Sequence, residues 1–128
     1  MKNAHTLIVV LLMLLSCTQR EPSEVAARVA KQYYEQLLSG DYEAFVDGIY
    51  HADTITPDYR SQLVENMRKF IAEQNKRRKG IQEVNIEKSE VDSARHTADV
   101  YLKFQYGDNT SERVLVPMTE LGGTWYLR

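Results

Sequence analysis

Cysteine is nearly absent from this chain, and so are long apolar runs and an excess of basic charge. One cysteine among 128 residues permits no disulfide within the chain. The formal net charge of −2 argues against generic nucleic-acid binding, which needs a basic surface. The apolar run over residues 7–15 is about nine residues long, well short of the roughly 20 that a membrane-spanning helix needs. We therefore expect no disulfide scaffold, no nucleic-acid partner and no spanning helix.

The apolar run instead has the build of an export signal. Lys2 precedes it, and Leu14-Leu15-Ser16-Cys17 closes it. A charged start, a short apolar stretch and a small residue before the cut are the parts of a signal peptide, and a cysteine after the small residue resembles a bacterial lipobox. The alternative is a plain leader that leaves Cys17 as a reactive free thiol. We expect a signal peptide over 1–16 and a lipidated Cys17 with a tether over 17–22. The protein would then be a membrane-anchored lipoprotein of the bacterial cell envelope, with the inner or outer membrane left open.

Three segments with helical spacing of apolar residues follow this tether. Ser23 is expected to cap a first helix over 23–38. Asp41 is expected to cap a short second helix, and Thr56, which precedes a proline, predicts the start of a third helix that ends before Gly80.

After Gly80 the apolar spacing changes to a period of two, which is typical of strands. The strands are predicted over 82–91, 96–106, 113–121 and 124–128, with Pro117 marking an edge or a bulge. The apolar set of the second strand is expected to face the helices: Ala98, Val100, Leu102, Phe104 and Tyr106. The sequence therefore predicts one α+β domain over 23–128, in which three N-terminal helices pack on a curved four-stranded antiparallel sheet.

This order of elements resembles the nuclear transport factor two-like superfamily, with its cystatin-like cone. The resemblance is carried by Tyr33-Tyr34, the Ser39-Gly40-Asp41-Tyr42 junction and the terminal Gly122-Gly123-Thr124-Trp125-Tyr126-Leu127. It covers about residues 23–128 and extends to small bacterial lipoproteins of that superfamily. It implies a pocket between the helices and the concave sheet, and frequent dimerisation. It does not imply one function, because the superfamily includes isomerases, dehydratases, transport adaptors and domains without known activity.

Aromatic side chains are the first candidates for a binding site. The chain has eight tyrosines, and large aromatic residues can line a pocket for a flat or apolar ligand. We predict Tyr33, Phe45, Met67 and Phe104 as pocket residues. The alternative is an ordinary core whose tyrosine hydroxyls reach the surface.

Titratable candidates are fewer. His51 and Asp53 could act as a general base and its orienting partner, or they could be two polar neighbours in a loop. Asp99 and Tyr101 share one strand face, which we expect to be the outer one because an unpaired buried carboxylate is costly. Neither His51 nor His96 has a partner at metal-ligand spacing, so no metal or other cofactor is expected.

The basic run over residues 76–79 is the remaining charged candidate. Four cations beside a membrane anchor could contact anionic lipid, or they could simply complement the dipole at a helix C-terminus. We favour the dipole interpretation because the chain as a whole is acidic.

The prediction is therefore a lipid-anchored, non-catalytic module that binds a small apolar ligand or a protein partner, with a homodimer as an option. One alternative is a small enzyme of the isomerase or dehydratase type that uses His51 or Asp53 in a pocket of the cone. Another is a scaffold whose outer sheet face around Tyr101 and Leu115 docks a partner. An aromatic pocket favours the module, a polar pocket with His51 or Asp53 favours the enzyme, and a filled cone favours the scaffold.

Overall fold

The computed structural model of the protein describes residues 21–128. The predicted signal peptide and the predicted lipidation at Cys17 lie outside the described residues. The elements in chain order are α1 (Pro22–Leu38), α2 (Tyr42–Asp47), α3 (Pro57–Arg78), β1 (Ile81–Asp92), β2 (Thr97–Tyr106), β3 (Ser111–Leu121) and β4 (Thr124–Leu127). None of these helices has the length and apolar character that a membrane crossing requires.

The helix starts follow local capping chemistry. The side chain of Asp41 accepts a hydrogen bond from the Ala44 N–H at 3.1 Å, and Thr56 accepts one from the Tyr59 N–H at 3.2 Å, so both predicted caps are confirmed. The prediction for Ser23 was wrong. The helix already begins at Pro22, whose fixed φ suits the first helical position, and Glu21 occupies the cap position without a side-chain hydrogen bond.

The four strands form one antiparallel meander in the order β1-β2-β3-β4. The predicted apolar face of β2 is buried, from Ala98 to Tyr106, with Val100 and Leu102 fully inaccessible. It packs against the apolar stripe of α1, in which Ala26, Ala30 and Leu37 are buried. Asp99 and Tyr101 lie on the opposite face, as expected from the alternation along β2. The predicted α+β arrangement, with its helices in the N-terminal half, is confirmed.

The connector between α2 and α3, residues 48–56, is fastened to the last strand. The Tyr50 N–H donates to the Leu127 carbonyl at 2.7 Å, and the Leu127 N–H donates to the Gly48 carbonyl at 2.7 Å. The Tyr33 hydroxyl donates to the Trp125 carbonyl at 2.8 Å. A Cβ at Gly48 would overlap the Tyr33 ring, so glycine permits this close approach. These bonds join α1, the connector and β4 at one end of the sheet.

Strand β3 is paired unevenly along its length. Residues 118–121 pair with β4, whereas residues 111–117 pair only with β2 within the described part of the chain. Pro117 lies where this change occurs, and its carbonyl accepts a hydrogen bond from the Arg128 N–H at 3.0 Å. Pro117 has no N–H to return, so the prediction that it marks an edge is confirmed.

Candidate functional site

A cavity of about 420 Å³ lies between the three helices and the concave face of β2 and β3, and we call it the aromatic pocket. Each of the three helices contributes side chains to its lining, and the short α2 contributes one aromatic ring. Its lining residues are Tyr34, Leu37, Phe45, Met67, Phe70, Gln74, Phe104, Tyr106, Glu112 and Val114. Apolar and aromatic atoms dominate this lining, as in most small-molecule sites.

Three of the five aromatic rings that line the aromatic pocket pack against one another. The centroid of the Tyr34 ring lies 5.2 Å from that of Phe45 in an edge-on arrangement and 5.2 Å from that of Phe104. Burial raises the pKa of Tyr34, so its hydroxyl stays protonated at neutral pH. Because the rings hold one another at distances typical of favourable aromatic pairs, the wall is preorganised.

One end of the aromatic pocket is polar. The Tyr106 hydroxyl donates to Glu112 Oε2 at 2.7 Å, and Arg78 Nη1 approaches the same oxygen at 3.3 Å. The Arg78 guanidinium also lies 4.6 Å from the centroid of the Tyr106 ring. Burial, reinforced by the hydrogen bond to Glu112, raises the pKa of Tyr106 to about 12. A carboxylate, a guanidinium and a hydroxyl whose proton is already donated to Glu112 therefore meet at one end of a largely apolar cavity.

A second cavity of about 390 Å³ lies beside residues 48–56, and we call it the connector cavity. It contains both residues of the predicted base pair, His51 and Asp53. Two other lining residues form an ion pair in this cavity, in which Arg60 donates to both carboxylate oxygens of Asp47 at 2.9 Å. That hydrogen bond is the main reason why the pKa of Asp47 is lowered. Within the described residues, His51 Nε2 is buried without a hydrogen-bond partner, so that nitrogen makes no hydrogen bond to the Asp53 carboxylate.

The structure brings three of the four predicted pocket residues together. Phe45, Met67 and Phe104 line the aromatic pocket, whereas Tyr33 lies at the β4 end of the sheet, where it binds the Trp125 carbonyl. That these residues bind a ligand remains a prediction.

Glu112 was not identified from the sequence as a pocket residue, and the contact between Arg78 and Glu112 was not predicted. The signal for Glu112 was its position two residues before Val114 on the inward side of β3. Arg78 was assigned to the helix dipole as part of the basic run, although its side chain turns toward Glu112.

The outer sheet face carries a smaller feature around Tyr101. Lys88 Nζ lies 4.7 Å and the Arg113 guanidinium 5.0 Å from the centroid of the Tyr101 ring. Arg113 also bonds Glu87 at 2.6 Å, and Leu115 beside Tyr101 is 49% exposed. The exposed patch around Tyr101 and Leu115 that the scaffold interpretation requires is therefore present, but two cationic side chains flank the Tyr101 ring.

Among residues 21–128 there is no cluster of three or more His, Cys, Asp or Glu side chains suited to a metal ion.

Neither the family models nor the curated proteins contain a match to this sequence. Among solved structures, the fold is similar to a crystal structure from Campylobacter jejuni named as an NTF2-like transpeptidase. The TM-score is 0.63 at 13% sequence identity, and the match covers 78% of this chain and 94% of that chain. A solution structure of a SEC-C motif containing protein from Rhodopseudomonas palustris matches with a TM-score of 0.45 at 15% identity, covering 73% of this chain and 67% of that chain. The helices, the antiparallel meander and the first of these similarities together show that this chain has a nuclear transport factor two-like fold.

Proposed function

We propose that the domain is a non-catalytic binding module that takes a small, largely apolar ligand into the aromatic pocket. The observation that supports this proposal most is the combination of the rings of Tyr34, Phe45 and Phe104 with one polar end. Pockets with an apolar lining and a few convergent polar groups are the usual sites for small ligands.

The polar end favours a particular kind of ligand. Glu112 Oε2 is already shared by Tyr106 and Arg78, which leaves Oε1 free of any hydrogen bond within the described residues. A ligand with a hydrogen-bond donor at one end of a flat apolar body would satisfy that oxygen. Because the charges of Arg78 and Glu112 offset each other, the site favours a neutral polar group over an ion.

Fluorescence titration with N-phenyl-1-naphthylamine, a neutral flat aromatic amine, tests this proposal. Met67→Trp places a larger ring in the aromatic pocket, and we expect it to weaken binding about tenfold, which corresponds to about 1.4 kcal/mol. Ile55→Trp makes the same kind of change in the connector cavity and serves as the matched control. Equal affinity for wild type and Met67→Trp, or a loss confined to Ile55→Trp, would contradict the proposal.

An enzyme of the isomerase or dehydratase type is a second candidate, supported by one observation. His51 and Asp53 line the same cavity, together with the cationic Arg60. A small molecule that co-purifies with the protein would then be converted on incubation, and His51→Asn would stop the conversion. If the recovered molecule is unchanged after incubation with wild-type protein, the binding module is the better description.

We also propose that Cys17 is lipidated and holds the domain at a membrane of the bacterial cell envelope. The support is the sequence pattern Leu14-Leu15-Ser16-Cys17. Several acyl chains, at about 0.8 kcal/mol per buried methylene, make a stable anchor. Cys17→Ser should abolish incorporation of labelled palmitate and move the protein to the soluble fraction. A Cys17→Ser protein that still sediments with membranes would contradict the anchor.

A further inference from the structure

The unpaired stretch of β3 borders the aromatic pocket. Residues 111–117 have no strand on the side away from β2 within the described part of the chain, because β4 pairs only with residues 118–121. Two residues of this stretch, Glu112 and Val114, line the aromatic pocket. The free edge and the proposed ligand site are therefore adjacent.

Hydrogen bonds at both ends of β3 show which backbone groups point to this free edge. The Glu120 N–H donates to the His96 carbonyl at 2.8 Å, and the Tyr106 N–H donates to the Thr110 carbonyl at 2.9 Å, so even-numbered residues of β3 bond toward β2. On the other side, the Arg128 N–H donates to the Pro117 carbonyl. Odd-numbered residues therefore direct their N–H and C=O groups away from β2, and those of Arg113 and Leu115 are directed to the free edge.

On the outer face of the sheet, two basic side chains lie side by side next to the free edge. Lys103 lies directly opposite Arg113 across β2 and β3, and two like charges in that relation are unfavourable. Glu87 is bonded to Arg113, and Lys88 lies over the neighbouring ring of Tyr101. An acidic side chain on a further strand next to Arg113 would complement the Lys103–Arg113 pair.

We infer that this edge binds an extended peptide segment, which adds to the sheet antiparallel to β3 and continues the line of β4. Its residue opposite Val114 is apolar and enters the aromatic pocket, and its residue opposite Arg113 is acidic and lies on the outer face. Backbone hydrogen bonds to Arg113 and Leu115 would supply affinity, and the pocket would supply specificity, as in other cases of strand addition. The inference rests on the proposed function, because the same pocket receives the apolar side chain.

The probe is an amidated Thr-Leu-Glu-Leu-Thr peptide, added to the isotope-labelled full chain and followed by NMR. Its binding should shift the amide signals of Arg113 and Leu115 and slow their hydrogen exchange. N-methylation of the Glu residue blocks the N–H that faces β3, and we expect it to weaken binding about tenfold. N-methylation of the first Leu, whose N–H points away from β3, is the matched control and should leave the affinity unchanged.

A variant pair on the protein side gives a second test. Leu115→Pro removes the N–H at the free edge without breaking a bond to β2, and Leu115→Ala controls for the lost side chain. The proline variant should lose peptide binding and keep binding of N-phenyl-1-naphthylamine.

The outcomes separate the two proposals. Equal binding of both methylated peptides, or an inert peptide with intact dye binding, would overturn strand addition and leave the small-ligand site standing. Absence of binding by both probes would overturn the proposed function as well. A wild-type dimer that Leu115→Pro converts to a monomer would show that a second copy occupies the edge, and would also overturn the inference.

Discussion

The aromatic pocket and the connector cavity are nearly equal in size, at about 420 and 390 Å³, but they are built from different chemistry. The wall of the first includes the buried core rings of Phe45 and Phe104, and Tyr106 and Glu112 meet at one end of it. The second lies over exposed residues such as Tyr50, and the Asp47–Arg60 ion pair already satisfies its best-placed charges. Volume alone therefore does not distinguish the two cavities, whereas the chemistry of their linings does.

The two cavities also correspond to the two proposed functions: the aromatic pocket to the binding module and the connector cavity to the enzyme. The residues with the most recognisable catalytic chemistry, His51 and Asp53, line the connector cavity and not the aromatic pocket. The residues that line the aromatic pocket include ordinary core types, Phe45 and Phe104, and no local sequence motif marks them as a candidate site.

Truncation of the pocket wall should have the largest effect. Phe45→Ala removes a ring that is 6% exposed, and we expect it to lower the free energy of unfolding by about 3–5 kcal/mol. Tyr50→Ala in the connector cavity removes a side chain that is 41% exposed and should change stability by less than about 1 kcal/mol. Urea denaturation of both variants measures the contrast. Similar losses for the two would contradict the distinction between the cavities.

The polar end of the aromatic pocket should make stability depend on alkaline pH. Because the pKa of Tyr106 is raised from 10.0 to about 12, the folded protein keeps a proton that the unfolded chain releases above its ordinary pKa. Stability contributed by Tyr106 is therefore complete below the unfolded pKa and is lost as the pH rises toward 12. Tyr106→Phe should flatten this decline, and the difference between the two proteins isolates Tyr106 from Tyr34, whose pKa is also raised. Parallel declines in both proteins would show that Tyr106 is not responsible.

The ion pair of the connector cavity should matter least. Asp47→Asn is expected to lower the free energy of unfolding by less than about 1 kcal/mol at neutral pH, because exposed ion pairs contribute little. The lowered pKa of Asp47 means that its contribution is present above the ordinary carboxyl pKa and is lost as the pH falls through the folded value. Chemical denaturation at neutral and acidic pH should show the two proteins converging in acid. A loss of stability as large as that of Phe45→Ala would contradict this prediction, because the ion pair would then stabilise the fold as much as a buried core ring does.

Much of the fold could be predicted because local chemistry and burial agree along the chain. The alternation of apolar residues predicts the strand β2, and the residues Asp41 and Thr56 predict two helix starts. All three elements are present in the structure. The error at Ser23 is a competition between two valid start signals, in which the proline one position earlier prevailed. The uneven pairing of β3 was already implied by the predicted strands, because a strand over 124–128 is shorter than a strand over 113–121.

The site was less predictable because its contacts join distant parts of the chain. Arg78 and Glu112 are 34 positions apart, and neither neighbourhood indicates the other. Tyr33 and Tyr34 are adjacent on a helix and therefore point in different directions. Tyr34 faces the pocket and Tyr33 faces β4, although the same aromatic signal drew attention to both.

The most direct test of the central claim is an NMR titration of the isotope-labelled protein with N-phenyl-1-naphthylamine. The predicted result is a set of saturable signal changes at Tyr34, Phe104 and Val114, with the signals of His51 and Ile55 unmoved. Signal changes that cluster instead at His51 and Ile55 would contradict the claim that the aromatic pocket is the binding site.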